Sequence, residues 1–242
     1  MSALTDNLRY YPSRRLGDVA TIRLGFTPLL ECRRWREYGP SDDRQRFVRR
    51  TVLMVQPSSI TADGSIDWSR LERINVPPTQ SYESHTLLPG SVLLCLRGVM
   101  RVANLTEQTL EHDLDATAEP LPVVASGAWA VIRPDTQVLT TNYLTWHLKQ
   151  PSTTARLHNE RSGSVVQFIR LSVVQEMTLP VPPLEAQVAI ARAASLIDQV
   201  EKLERQRLEL LRSFIAGSIQ TKTPDGRVAR GRASTNRGKS AR

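Results

Sequence analysis

The order of apolar and polar positions divides the chain into two parts with different secondary structure. Between residues 15 and 179, short apolar runs are separated by polar turns, a pattern typical of strands joined by loops. The clearest strand candidates are residues 51–55, 92–96, 123–125 and 129–132. Residues 141–148 show an amphipathic pattern that predicts a short helix capped at Thr141 or Asn142. We therefore predict one mixed α+β domain over residues 15–179, with residues 1–14 as a loose lead-in.

The second part begins with a proline-rich connector. Residues 180–183 are Pro-Val-Pro-Pro, and proline excludes a helix there because its ring fixes φ and removes a hydrogen-bond donor. Residues 184–220 contain no proline and a single glycine, and they are rich in alanine, leucine, glutamate, arginine and glutamine. This composition predicts one long C-terminal helix of about 37 residues, which would be about 55 Å long.

Apolar residues on this predicted helix recur at alternating intervals of four and three, as in the a and d positions of a coiled coil. The seam consists of Leu196, Val200, Leu203, Leu210 and Phe214, and Arg207 interrupts it. A helix with so narrow an apolar stripe needs a partner helix, and the chain offers no second one of this kind. We therefore predict a coiled-coil dimerisation and spacer helix over residues 184–220. The alternative is that this helix lies on the core of its own domain.

The net charge of +8 is concentrated in the last 22 residues. Residues 221–242 hold seven basic residues and one acidic residue, and they are poor in apolar residues. Such a composition predicts a basic disordered tail. The tail would either add sequence-independent affinity for nucleic acid or only keep the chain soluble.

Arginines also cluster inside the domain. Between residues 33 and 50 there are seven arginines and three acidic residues. The planar guanidinium group can grip guanine edges or phosphates with two hydrogen bonds. The predicted DNA-binding residues are Arg33, Arg34, Arg36, Arg44 and Arg46 in this stretch, Arg97 and Arg101 after a central strand, and Arg161, Ser164 and Gln167 around a Ser-Gly-Ser loop. The alternative for each arginine is an ordinary surface position or a structural ion pair.

No pattern of catalytic or metal-binding residues stands out. The four histidines lack metal-ligand spacing, the two cysteines form no zinc or disulfide framework, and neither glycine-rich phosphate-binding motif occurs. The acidic cluster of Glu107, Glu111, Asp113 and Asp115 lacks the spacing of a calcium loop. We therefore predict no catalytic residue, no metal and no cofactor. The chain also shows no membrane span and no signal peptide, which predicts a cytoplasmic protein.

Five motifs in fixed order resemble those of type I restriction–modification specificity subunits. They are residues 15–22 (RLGDVATI), 88–94 (LPGSVLL) with Arg97-Gly98, 129–134 (WAVIRP), 142–148 (NYLTWHL) and 179–191 (LPVPPLEAQVAIA). Ser91 stands where aspartate is more common in the family. The chain resembles a half-length form, with one target-recognition domain and one conserved-region helix, whereas a full family member has two of each.

This resemblance implies a non-catalytic subunit that recognises double-stranded DNA for a defence system. It implies methyltransferase (M) partners, and restriction (R) subunits as further partners, positioned on a bipartite site. It also implies that two half-length chains come together, as a homodimer or by pairing with another half-subunit. A truncated remnant of a longer gene is a third possibility.

Three other functions remain open at this stage. The same domain could serve a stand-alone DNA-binding regulator that needs no methyltransferase. The chain could be a coiled-coil scaffold protein without sequence specificity. It could also be an unrecognised nuclease, which would cut DNA in the presence of divalent metal without other subunits.

Overall fold

The computed structural model describes residues 7–29, 50–61, 63–107, 121–163 and 167–220. The chain divides into two compact units, residues 1–195 and residues 196–242. The predicted fold class, an α+β domain followed by a long C-terminal helix, is confirmed.

The first unit contains strands and helices in mixed order. The strands are β1 (Ser13–Arg15), β2 (Ala20–Leu24), β3 (Arg50–Val55), β4 (Glu72–Val76), β5 (Val92–Cys95), β6 (Val102–Asn104), β7 (Val123–Ala125), β8 (Trp129–Pro134) and β9 (Thr178–Pro180). The helices are α1 (Leu16–Val19), α2 (Thr141–Lys149), α3 (Pro151–Asn159), α4 (Leu171–Glu176) and α5 (Leu184–Gln220), and α5 continues into the second unit. The strands predicted at residues 51–55, 92–96, 123–125 and 129–132 correspond to β3, β5, β7 and β8.

Three sheets organise these strands. An antiparallel four-stranded sheet has the order β2-β8-β5-β6, and a three-stranded sheet has the order β4-β3-β7 with β3 and β7 parallel. A small antiparallel pair joins β1 to β9. The pair connects the start of the domain to the segment just before the long helix.

The central strands β5 and β8 are buried on both faces. Val92 and Leu94 of β5 face a core shared with helix α2, which supplies Tyr143 and Leu144. The intervening Leu93 and Cys95 face a second core, together with residues of the three-stranded sheet. Burial on both faces explains why β5 is apolar at every position instead of alternating.

Trp129 of β8 connects the two sheets. Its side chain is fully buried, and its indole Nε1 donates a hydrogen bond of 3.1 Å to the carbonyl oxygen of Val55 on β3. This hydrogen bond satisfies the one polar group of the Trp129 side chain. Trp129 can therefore fill the second core without leaving a buried donor unpaired.

Two sequence-based boundaries need correction. The predicted loose lead-in, residues 1–14, contains a 3-10 turn at Asn7–Tyr10, the buried side chain of Leu8 and the start of strand β1. Residue patterns could not predict strand β1, because three residues carry no periodicity and the partner strand β9 is remote in the chain. The cap of helix α2 is Thr140, whose hydroxyl accepts a hydrogen bond from the Tyr143 amide at 3.4 Å, instead of Thr141 or Asn142.

The proline-rich connector contains no helix, and it is held on the domain. Val181 is buried and donates its amide to the carbonyl oxygen of Pro12 at 3.0 Å. The hydroxyl of Tyr143 donates to the carbonyl oxygen of Pro180 at 2.9 Å. These two hydrogen bonds hold the connector on the domain before helix α5 begins.

A buried amide fixes the first turn of helix α5 on the domain. Gln187 is fully buried; its Oε1 accepts from the Thr140 amide, and its Nε2 donates to the carbonyl oxygens of Val138 and Pro182, each at 2.8 Å. Further along, Ile190 and Ala194 pack against the core. The alternative in which the helix lies on its own domain is thus correct for its first three turns.

In the second unit the apolar side chains of α5 are exposed. Leu196, Val200, Leu203, Leu210 and Phe214 are between 55% and 73% exposed. That these five residues form a dimer seam stays a prediction. An exposed apolar face of this length is a candidate surface for association.

Replacing Gln187 tests the role of the buried amide. The Gln187→Leu variant should lose about 3 kcal/mol of unfolding free energy, because it leaves one buried donor and two buried acceptors without partners. Urea unfolding followed by circular dichroism measures this loss. Gln206→Leu, on the exposed part of the same helix, is the matched control and should stay close to wild type. Equal stability of the two variants would contradict the assignment.

His147 should make the domain sensitive to mild acid. Burial, with a smaller contribution from the charge of Arg156, lowers the pKa of His147 from its ordinary value of 6.5 to about 4. Because the unfolded chain takes up a proton near pH 6.5 and the folded chain does not, stability is full above that pH and falls as the pH drops toward 4. Between pH 7 and pH 5 the loss from this group should be about 2 kcal/mol.

Urea unfolding at several pH values measures that loss. His147→Gln cannot take up the proton, so the variant should show a flatter dependence of stability on pH over the same window than the wild type. Parallel curves for the two proteins would mean that His147 is not the group responsible.

Candidate nucleic-acid interface

The hairpin between β5 and β6 exposes a short basic tip. The tip, residues 97–100, has the sequence Arg-Gly-Val-Met and is followed by Arg101, so it contains arginine and no acidic residue. Gly98 has φ of 77°, a left-handed conformation that favours glycine, and a Cβ there would meet nothing within 4 Å. The left-handed backbone of the turn therefore favours glycine at this position, whereas the space around it would admit a side chain. Arg97, Gly98 and Val99 are all exposed.

The base of the hairpin is held by hydrogen bonds on several sides. The amide of Leu96 donates to the carbonyl oxygen of Ala128 at 2.8 Å, and the amide of Ile169 donates to the carbonyl oxygen of Leu96 at 2.9 Å. The Cys95 thiol donates to the carbonyl oxygen of Arg97 at 2.9 Å. Burial raises the pKa of this thiol, which keeps it protonated and able to donate. An exposed tip thus stands on a fixed base.

A second loop lies beside the tip. Ser162 and Phe168 exchange backbone hydrogen bonds of 3.0 and 2.9 Å and so close the loop that carries Gln167. Phe168 also forms a β-bridge with Arg97. The bridge places Phe168 opposite Arg97, and Gln167, the residue before Phe168, is exposed in the same loop.

Two of the predicted DNA-binding arginines donate hydrogen bonds to backbone carbonyl oxygens of the domain. Arg161 donates from Nη2 to the carbonyl oxygen of Gly98 at 2.8 Å, and Arg101 donates from Nη1 to the carbonyl oxygen of Ile60. Both are partly buried, so at least part of each guanidinium group holds the hairpin. Their role as DNA contacts stays a prediction, as it does for the exposed Arg97 and Gln167. Ser164 lies outside the described residues.

The arginines of the basic stretch, Arg33, Arg34, Arg36, Arg44 and Arg46, also lie outside the described residues, but the structure describes both flanks of the stretch. Gln80 connects these flanks: its Oε1 accepts from the Leu29 amide at 3.1 Å, and its carbonyl oxygen accepts from Arg50 at 3.4 Å. Arg50 also forms an ion pair with Glu83 and lies 4.7 Å above the ring of Tyr82. The described residues that border the stretch, Leu29 on one side and Arg50 on the other, are therefore tied to one segment of the domain.

Sequence reasoning missed Gln80, Val99 and Phe168. Gln80 could not be found, because its partners are about thirty and fifty residues away in the chain. Val99 did carry a signal, since a glycine two residues after a buried apolar run predicts a tight turn with an exposed neighbour. Among the described residues no group of three or more histidine, cysteine, aspartate or glutamate side chains is placed to hold a metal ion. No described helix has the length and apolarity needed to span a membrane.

Comparison with known proteins gives matches at the level of structure. No protein-family model and no curated protein sequence matches the chain. The structure matches that of the HsdS subunit from Thermoanaerobacter tengcongensis with a TM-score of 0.55 and 16% sequence identity, covering 84% of this chain and 46% of that one. It also matches a chain from a structure of the type I R-M system that describes complex assembly and conformational transition, with a TM-score of 0.52, 19% identity, and coverage of 86% and 46%.

This chain spans about half the length of the two chains that it matches. The resemblance to type I restriction–modification specificity subunits is thereby confirmed for the fold: the chain has the architecture of an HsdS subunit over about half of such a subunit's length.

Proposed function

We propose that this chain is a DNA-recognition subunit of a type I-like restriction–modification system. It selects the DNA sequence, and separate methyltransferase and restriction subunits carry out the chemistry. The observation that supports this function most directly is the basic hairpin tip, which is exposed and held at its base, on a fold shared with an HsdS subunit.

The side chains at the tip have the chemistry that base recognition requires. Arginine can donate two hydrogen bonds to guanine, and glutamine can exchange two with adenine. Arg97 is exposed at the tip, and Gln167 is exposed in the loop that pairs with the tip through Phe168. A two-stranded hairpin is narrow enough to enter the major groove. The arginines of the basic stretch would then add contacts to phosphate groups.

The exposed seam of α5 supports association with a second half-length subunit. With Arg207 between Leu203 and Leu210, the five seam residues follow alternate intervals of four and three, and each of the five is more than half exposed. Burying them against another helix removes apolar surface from water. With a second copy as partner, two identical domains related by a twofold axis would recognise an inverted repeat with a fixed gap. With another half-subunit, the two half-sites would differ.

Arg97→Ala tests the contact at the tip. DNA binding is measured by fluorescence anisotropy on a duplex selected by the wild-type chain. Removal of a two-bond contact to a base should weaken binding by about 1–3 kcal/mol and should reduce the preference for the selected sequence over a scrambled one. Arg73→Ala removes the same charge from an exposed position on β4 and is the matched control. It should leave the sequence preference intact.

An equal loss of affinity in Arg97→Ala for selected and scrambled duplexes would mean that Arg97 contacts phosphate only. Unchanged affinity for both duplexes would remove Arg97 from the interface.

Leu203→Glu tests the seam. Light scattering of the purified chain should give twice 27.2 kDa for the wild type if the homodimer forms and 27.2 kDa for the variant, because the substitution places a carboxylate in the apolar interface. Lys202→Glu introduces the same side chain at the adjacent position outside the seam and should stay dimeric. A Leu203→Glu dimer would show that the seam is not the interface. A wild-type monomer would leave pairing with a different half-subunit as the form to test.

A further inference from the structure

We propose that Val99 is a specificity-determining residue and that it contacts the C5 methyl group of a thymine in the DNA site. The inference rests on the proposed function, since it assigns a base contact to a DNA-recognition subunit. It concerns a residue that lies between Arg97 and Arg101 in the chain and whose side chain carries no charge or hydrogen-bonding group.

The exposure of Val99 is unusual for this domain. Its side chain is 72% exposed, whereas the next most exposed aliphatic side chain among the described residues of the first unit, Leu29, is 47% exposed. A single exposed apolar residue is common on protein surfaces. Val99, however, stands at the end of a turn whose backbone conformation and neighbours are both fixed.

That fixation is visible in the contacts on each side of Val99. Before it, the carbonyl oxygen of Gly98 accepts the hydrogen bond from Arg161 at 2.8 Å. After it, the carbonyl oxygen of Arg101 accepts from the Cys95 amide at 2.9 Å. The turn therefore presents the valine side chain in one place, and little conformational entropy remains to be lost when it binds.

The chemistry of the surroundings indicates the ligand. Arg97 is exposed two residues before Val99, and Arg161 donates to the carbonyl oxygen of the adjacent Gly98, so the apolar group is presented next to two positive side chains. In the DNA major groove the thymine methyl is the apolar group that distinguishes one base edge from the others. The branched aliphatic side chain of Val99 can pack against the thymine methyl group. The basic hairpin that carries Val99 suits the hydrogen-bond acceptors and phosphate groups that surround this methyl group in DNA.

The test uses the full chain, tagged and purified with the subunits that accompany it from its host. A binding site is first selected from random duplexes. Each thymine of that site is then replaced in turn by deoxyuridine, which lacks only the methyl group, and the dissociation constants of wild type and Val99→Ala are compared on every duplex. Val188→Ala, a partly exposed valine on α5, is the matched control.

The wild type should lose about 3- to 10-fold in affinity when one thymine, or its symmetry-related pair, loses its methyl group. Val99→Ala should bind the unmodified site more weakly by a similar factor and should be indifferent to deoxyuridine at that position. Val188→Ala should behave as the wild type at every thymine. Because Val99 is exposed, its alanine variant should unfold at the same urea concentration as the wild type.

The inference is overturned if the wild type tolerates deoxyuridine at every position, if the selected site contains no thymine, or if Val99→Ala keeps its preference for the methyl group. In each of these cases a selected site exists, so the proposed function stands. If no sequence is enriched from the random pool, the proposed function fails and the inference fails with it.

Discussion

The structure depends on the burial of β5 and β8 between two layers. Helix α2 covers one face of this strand pair, and the three-stranded sheet covers the other. Trp129 joins the layers through its hydrogen bond to Val55, and the strands must be apolar at successive positions because both faces are dry. Polar residues can therefore appear only where these strands end. The basic tip follows β5 at one such end.

The candidate interface uses this rigid base. Arg161 and Phe168 come from a loop that is remote in sequence, and both reach the backbone of the tip. Gln80 ties together the flanks of the arginine-rich stretch in the same manner, by hydrogen bonds between residues distant in the chain. Base recognition requires side chains that are exposed and yet held in a defined position. In both arrangements the residues that hold the position come from distant parts of the domain and not from the neighbouring sequence.

Sequence patterns predicted the parts of the fold whose cause is local. Continuous apolar runs located β5 and β8, and the absence of proline with a single glycine located helix α5 from Leu184 to Gln220. The patterns failed where the cause is a distant partner. Strand β1 exists because β9 pairs with it, and Arg161 resembles a free DNA-binding arginine until the carbonyl oxygen of Gly98 is found next to it. Gln187 looked like one polar residue of a helix, yet it is a buried connection between three backbone segments.

The central claim is that this chain chooses a DNA sequence, and selection from a pool of random duplexes tests it most directly. The account predicts that the full chain, purified with its companion subunits, enriches one bipartite sequence in which two short half-sites are separated by a gap of constant length and variable composition. A pool that remains random after successive rounds, with duplexes retained only in proportion to their charge, would contradict it.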